Sequence, residues 1–294
     1  MSSATLARNV RLGELWPGVV AALSFSSVDI LIKVVFASGM DVMTMVSLRG
    51  VLVVAFMFVW LRMRPPPIWH THRQRLIACI IGVLFAGTMF GLMKAISLLP
   101  VSIAILAYFA YPLLTGIGGG ITGVDRLGWP ALLTAVTAFL GLALMLGSEY
   151  HNLSGLGIVW ALGAAGFRVV SLLMTRAWLN GTDARVTTWY SMVPSTLLFV
   201  IGSVVIGDWR TPNSLLGWAA FAGSSAGSTL STLLIYISTN RVGPFRTAFI
   251  MNLEPLVTTI LSMLLLGEVL TPLQALGAAV MLVSLCVFQF VRAR

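Results

Sequence analysis

Apolar residues occupy this chain in long runs separated by short polar connections. A helix that crosses the hydrocarbon core of a membrane needs about 20 mostly apolar residues. Ten stretches meet that requirement, at roughly 16–37, 42–61, 76–97, 101–121, 128–147, 154–177, 186–206, 214–239, 244–266 and 272–291. Several connections are only a few residues long, which makes sequential helices antiparallel neighbours. The punctuation agrees: Thr271-Pro272 reads as an N-cap with proline at the first helical position, and Asn213 as a cap for the eighth helix. The predicted fold class is an all-α integral membrane bundle of ten transmembrane helices.

Composition sharpens this picture. Of 294 residues, 58% are hydrophobic and 9% charged, against roughly 25% charged in a soluble domain. So few charges cannot make a water-facing surface, so the apolar surface faces lipid. The net charge of +9 would suggest nucleic acid in a soluble protein, but the basic residues sit almost wholly in short loops and so report topology. One side of the predicted bundle holds Arg8, Arg11, Arg62, Arg64, Arg73, Arg75, Arg126, Arg176, Arg185, Arg241, Arg246, Arg292 and Arg294. The other holds Lys94 and Arg210 beside Asp41, Glu149, Asp208 and Glu268. Both termini are therefore expected in the cytoplasm, in a multi-pass protein of the inner membrane. The N-terminus, with two arginines and a glutamate before the first apolar run, does not read as a cleaved signal peptide.

The chain repeats itself. "YPLLTGI" at 111–117 parallels "EPLVTTI" at 254–260, so Pro112 and Pro255 stand 143 residues apart; at that offset Asp125 meets Glu268, Leu127 meets Leu270 and Lys33 meets Arg176. Two halves, 1–148 and 149–294, would then hold five helices each and together form one membrane domain. Because five is odd, the second half enters the membrane from the opposite side. This predicts an inverted-topology repeat, an architecture common in secondary transporters.

At 252–288 the sequence "NLEPLVTTILSMLLLGEVLTPLQALGAAVMLVSLCVF" resembles the last two helices of EamA-type proteins of the drug/metabolite transporter superfamily. The matching features are Glu254-Pro255, then Leu266-Gly267-Glu268-Val269-Leu270, then the run from Gln274 to Ala278. The first half departs from the pattern: Tyr111 stands where the second half has glutamate, and Asp125-Arg126 replaces the Gly-Glu turn. Within the superfamily the chain is most similar to amino-acid exporters of the YddG type, which move aromatic and other neutral amino acids out of bacteria. That resemblance implies a central cavity walled by helices 1, 3, 4, 6, 8 and 9, and a monomer able to enclose it.

The residues themselves suggest where a site would lie. Pro112 and Pro255 fall near mid-membrane and invite kinks; paired interruptions are a good pointer to a transporter's site, though they also serve simple bending. Charges within spans rarely face lipid, and here they are Asp29, Lys33, Arg49, Arg168 and Glu254, with Lys94 near a helix end. Glu254 suits a substrate ammonium group or a proton, or else a bond to a neighbouring carbonyl at the kink. Asp29 and Lys33, four apart, form a self-satisfied pair or contribute ligands. Arg168 suits a substrate carboxylate, or pairs with Glu254 as a lock. Arg49 enters the cavity or snorkels to an interface. Tyr108, Tyr111, Phe85, Phe90, Trp160, Phe167 and Tyr236 are the aromatic cavity candidates, a lining suited to aromatic and large apolar substrates. Gly116, Gly119, Gly120 and Gly123, Gly87 and Gly91, and Gly223 and Gly227 mark close helix packing.

Enzymatic readings find little support. Gly223-Ser224-Ser225-Ala226-Gly227 matches G-x-S-x-G, but a nucleophile elbow requires a strand-to-helix turn and this segment is a continuous apolar helix. His70, His72 and His151 fall in loops, and Cys79 and Cys286 lie within apolar segments. There is no HExxH, phosphate loop or Cys/His cluster, so no metal or cofactor is expected and energy must come from gradients. The expected function is secondary export of aromatic and other neutral amino acids and related metabolites by alternating access, with small molecules and the bilayer as partners and no nucleic acid. A multidrug exporter exchanging cations for protons is the nearest alternative. A sugar-phosphate-type carrier, an intramembrane enzyme and a passive channel rank below it.

Overall fold

The computed structural model describes residues 12–99, 101–125, 128–146, 154–207, 209–266 and 271–290. Arg8, Arg11, Arg126, Leu127, Glu149, His151, Asp208, Gly267–Leu270 (with Glu268), Arg292 and Arg294 lie outside the described residues. After a short turn at Leu12–Glu14, the helices are α1 (Trp16–Ala37), α2 (Val42–Met63), α3 (His72–Leu98), α4 (Val101–Tyr108), α5 (Tyr111–Thr122) and α6 (Trp129–Leu146). They continue with α7 (Gly155–Trp178), α8 (Ala184–Ile206), α9 (Leu215–Val242), α10 (Pro244–Ile250), α11 (Leu253–Leu266) and α12 (Pro272–Phe290). Among the described residues, eight stretches are long and apolar enough to cross a membrane, among them Ile103–Thr122 and Pro244–Leu265, which each run across a break; Trp129–Met145 and Pro272–Phe288 are shorter apolar helices.

The two breaks have a common cause. Proline has no N–H, so Pro112 cannot bond the Tyr108 carbonyl and Pro255 cannot bond that of Met251. Helix α4 ends at Tyr108, and α10 ends at Ile250. In the gaps the chain tightens: Ala110 N–H bonds the Ala107 carbonyl (3.3 Å), and Glu254 N–H takes the Met251 carbonyl (3.0 Å). Around these gaps lies the main apolar core, which includes Phe109, Tyr111, Ala248, Met251 and the ring cluster of Phe245, Phe249 and Phe288. Phe249 and Phe288 meet at 4.3 Å between centroids with their rings tilted by 46°.

Helix pairing builds the bundle: α1 packs on α9, α3 on α7 and α8, α2 on α8, and α6 on α12. Small residues set the spacing, as lipid-embedded helices require. Gly223 and Gly227 seat Leu31 and Val28 of α1, and Gly87 and Gly91 seat α7, whereas a side chain at Gly120 or Gly123 would meet nothing within 4 Å. Two close crossings against a neighbouring main chain are at Gly141 and Gly82. A Cβ at Gly141 would stand 2.7 Å from the Met281 amide nitrogen, and one at Gly82 would run into the Ser191 carbonyl, with Pro194 Cγ at 2.8 Å.

Capped loops tie the two halves of the chain together at both ends of the bundle. Asp41 caps α2 through the Thr44 amide (2.9 Å) and accepts the Arg210 amide from the loop before α9 (3.0 Å). At the opposite end Asp183 caps α8 through the Arg185 amide (2.8 Å) and pairs with the Arg185 guanidinium (2.6 Å). That guanidinium donates on to the Arg64 carbonyl (3.0 Å), and buried His70 bonds Thr187 Oγ1 (2.9 Å). Asp125, following α5, accepts the Phe245 amide at the start of α10 (3.3 Å). Thr271 caps α12 with Gln274 returning the bond, as the sequence indicates. For α9 the cap is Ser214 rather than Asn213: its hydroxyl reaches the Gly217 amide (3.1 Å), while the Asn213 main chain bonds Ser38.

Two outcomes follow from this packing. Gly141→Val forces the α6–α12 crossing apart and should lower the thermal midpoint in detergent by several degrees, the overpacking cost being about 1–3 kcal/mol; Gly120→Ala should leave it unchanged. Burial, the largest influence, and Arg75 pull the His70 pKa below 6.5 against Asp183. The neutral ring's contribution is then complete above 6.5 and is lost as pH falls through the lowered value. Thermal unfolding between pH 7 and 5 should therefore show a larger fall for the wild type than for His70→Gln.

Candidate functional site

Helix α7 carries Arg168, Ser171 and Thr175 at spacings of three and four, which puts them on one face. That face meets Ile81, Phe85 and Thr88 of α3 and Thr232, Ile235 and Tyr236 of α9 across a narrow cavity, with Leu172 completing the wall. The cavity is polar on the α7 and α9 sides and, apart from Thr88, apolar along α3.

Among the described residues, Arg168 is the cationic side chain that lines it. The guanidinium carbon lies 6.0 Å from the Tyr111 ring centroid, and the side chain is within electrostatic range of Tyr108, Tyr111, Tyr236 and Glu254. Its Nε is buried and has no hydrogen-bond partner. A buried donor left unpaired costs about 1–3 kcal/mol, so this group is poised for an acceptor. Tyr108, Phe109 and Tyr111 pack into a cluster beside it, with centroids 5.3–5.6 Å apart. The α4–α5 break holds that cluster in place. Tyr236 donates its hydroxyl proton to Ser191 Oγ (2.9 Å), and the close approach of α3 to α8 at Gly82 fixes the height of Ser191.

A second polar group lies on α1, α2, α9 and α11. Thr258 Oγ1 donates to Asp29 Oδ2 (2.9 Å), and Arg49 Nη1 donates to Ser228 Oγ (3.2 Å). Asp29 is within electrostatic range of Lys33 and Arg49. Glu254 connects the two groups, since Asp29 and Arg168 both lie within its electrostatic range; its main-chain carbonyl, next to the α10–α11 break, accepts the Ser26 hydroxyl (3.0 Å). Arg49 thus turns into the bundle rather than toward an interface.

The structure brings Phe85, Arg168 and Tyr236 to the cavity wall and sets Tyr108, Tyr111 and Glu254 beside it. Asp29 and Lys33 belong to the second group. Pro112 and Pro255 open the two breaks. Phe90 and Phe167 stand apart: they are 48% and 40% exposed, Phe90 meets Trp160 edge-on (5.8 Å), and Phe167 covers Gly87. None of these three lines the cavity. Sequence reasoning missed Thr88, Ser171, Thr175 and Thr232. Their signal was present: Ser171 and Thr175 repeat at helical spacing on the Arg168 face. Among the described residues, no group of three or more His, Cys, Asp or Glu side chains could hold a metal ion.

Comparison with known proteins gives this geometry its context. Residues 155–289 match the EamA-like transporter family. The chain is 29% identical over 244 residues to the threonine/homoserine exporter RhtA of Escherichia coli strain K12, covering 80% of this chain and 76% of that one. It is 26% identical over 236 residues to an uncharacterised transporter of Synechocystis sp., covering 76% and 68%. A protein of known crystal structure superposes with a TM-score of 0.80 over 97% of this chain and 100% of that one; at 17% identity this establishes the fold alone. The helices, cavity and relatives describe a membrane transporter rather than an enzyme. The second half carries an EamA-like transporter domain, and over most of its length the chain is similar to membrane transporters.

Proposed function

We propose that this protein exports small neutral amino acids across the inner membrane by alternating access. The observation that carries the reading is the buried, unpartnered Nε of Arg168 on the wall of the central cavity. A carboxylate placed there gains charge-assisted bonds in a water-poor site. Glu254, within range of Arg168, receives the ammonium group. The exporter RhtA, named for threonine and homoserine, supports the amino-acid class. Aromatic substrates, expected from the sequence, are less well served: Phe85 and Tyr236 are the aromatic rings among the cavity's lining residues, and Thr88, Ser171, Thr175 and Thr232 add four hydroxyls to that of Tyr236.

The moving parts are two five-helix halves, 1–148 and 149–294, related as an inverted repeat with both termini cytoplasmic. Equivalent features recur at offsets of 142 or 143 residues. Thr71 and Ser214 cap α3 and α9, 143 residues apart. Asp41 and Asp183 cap α2 and α8, 142 apart. The breaks at 109–110 and 251–252 differ by the same 142. Exchanging the halves also turns the α1–α9 pairing into that of α7 with α3. Pro112 and Pro255 then act as paired hinges beside the site, and a single chain encloses the whole cavity. A multidrug exporter driven by proton exchange is the second reading, favoured by the nearness of Asp29 to Glu254.

Counterflow in proteoliposomes tests the proposal. Vesicles loaded with unlabelled neutral amino acids should take up labelled threonine or homoserine saturably. Arg168→Ala should reduce uptake at least about ten-fold, and Glu254→Gln should weaken it. Unchanged uptake in both variants would remove the assigned roles, and uptake of lipophilic cations in place of amino acids would favour the second reading. Tags on the two termini should both be protected or both cleaved in oriented vesicles; a split result would overturn the inverted repeat.

A further inference from the structure

The cavity wall carries five hydroxyl groups, and each has already committed its proton. Thr88 Oγ1 donates to the Leu84 carbonyl (2.9 Å), Ser171 Oγ to Phe167 (2.8 Å), Thr175 Oγ1 to Ser171 (2.8 Å) and Thr232 Oγ1 to Ser228 (2.9 Å). Tyr236 donates to Ser191 Oγ (2.9 Å), whose own proton goes to the Thr188 carbonyl (3.0 Å). A hydroxyl has one proton and two acceptor lone pairs. Thr88, Ser171, Thr175 and Tyr236 are buried, so their protons have no cheap alternative partner in water. What these side chains offer a ligand is therefore acceptors. The contrary group is Arg168, with an unpartnered Nε–H and no acceptor atom of its own.

The wall is thus sorted into one cationic donor and a ring of neutral acceptors. We infer that the cavity selects, among small amino acids, those whose side chain ends in a hydrogen-bond donor, with the hydroxyls of Thr88, Ser171, Thr175, Thr232 and Tyr236 accepting it. The inference rests on the amino-acid reading above, in which Arg168 holds the carboxylate. A side-chain hydroxyl, thiol or amide N–H satisfies the ring. An ether oxygen of similar size meets it lone pair to lone pair, and a methyl group leaves both sides unbonded. Sites built around a substrate's donor reject analogues that lack it far better than apolar pockets separate analogues by size. Here the hydroxyl protons held by the helix backbone give the ring its polarity, so the selection acts against the chemistry of the terminal group and not against its volume.

Competition for labelled threonine counterflow into proteoliposomes of the full-length protein tests this. Threonine, valine and O-methylthreonine form the panel: valine replaces the hydroxyl by a methyl of similar size, and O-methylthreonine keeps the oxygen but has no proton. Wild-type protein should prefer threonine at least about ten-fold over both. Thr175→Val and Thr232→Val, which keep the side-chain shape, should narrow the gap between threonine and valine, and Thr175→Ser should restore it. Equal competition by O-methylthreonine in the wild type would overturn the inference and leave amino-acid transport standing. The same holds if the valine variants keep the wild-type preference while remaining active. Should the wild type move phenylalanine and ignore threonine, donor selection fails though the amino-acid reading survives. If no amino acid exchanges at all, that reading falls and the inference with it.

Discussion

Hydrocarbon offers no hydrogen bonds, and nearly every feature of this protein is a response to that fact. Main-chain groups must be satisfied within helices, so the chain is helical wherever it crosses. Polar side chains must be satisfied by the same helices, so serines and threonines return their protons to carbonyls one turn back: Ser27 to Leu23, Thr115 to Tyr111 and Thr229 to Ser225 are examples outside the cavity wall. Irregular backbone survives only where protein covers it. The gaps before Pro112 and Pro255 accordingly sit in the densest apolar core, around Phe245, Phe249 and Phe288. The same rule that makes the helices uniform makes the two interruptions informative.

Function follows from where the rule is left unfulfilled. The Arg168 Nε is a buried donor without an acceptor, flanked by tyrosines that supply area and soft electrostatic support. Around it, hydroxyls that obey the rule become a chemically uniform lining. Further along the bundle, Asp29 bonds Thr258 and Arg49 bonds Ser228, with the two charges in electrostatic range of each other, so charge is tolerated there because it is shared. Glu254 stands between a settled polar group and an unsettled one, a position suited to a residue that changes partners during a transport cycle.

Much of the fold was legible from the chain. Apolar run lengths marked ten helices, of which eight are long enough to cross a membrane among the described residues and two are shorter apolar helices; Thr271-Pro272 marked the start of the last one, where the structure adds a return bond from Gln274. Repetition of a proline at a fixed offset pointed to both breaks. The site was legible only in part. Arg168, Tyr236 and Phe85 stood out because charged and aromatic residues are conspicuous in an apolar helix. Phe90, Phe167 and Trp160 were conspicuous for the same reason, yet their helix faces turn away from the cavity. Composition identifies an aromatic ring but not its azimuth, which is set by the partner helix. The threonines and serines of the wall, spread over α3, α7 and α9, escaped notice because such residues recur along many of the helices and usually only pack. What distinguishes them is a shared face with Arg168, a relation visible once α3, α7 and α9 are assembled.

Gly82 shows how far a contact can act. The residue touches no ligand-accessible surface, but it lets α3 rest against the main chain of α8 at Ser191, and Ser191 in turn receives the Tyr236 hydroxyl. The missing side chain is a shim of zero thickness between two helices. Thickening it by one methyl group would lift Ser191 from Tyr236 and free the phenol to turn its proton toward the cavity, converting an acceptor into a donor. Altered substrate preference in this fold can therefore arise at a helix crossing, among residues that an inspection of the cavity lining alone would pass over.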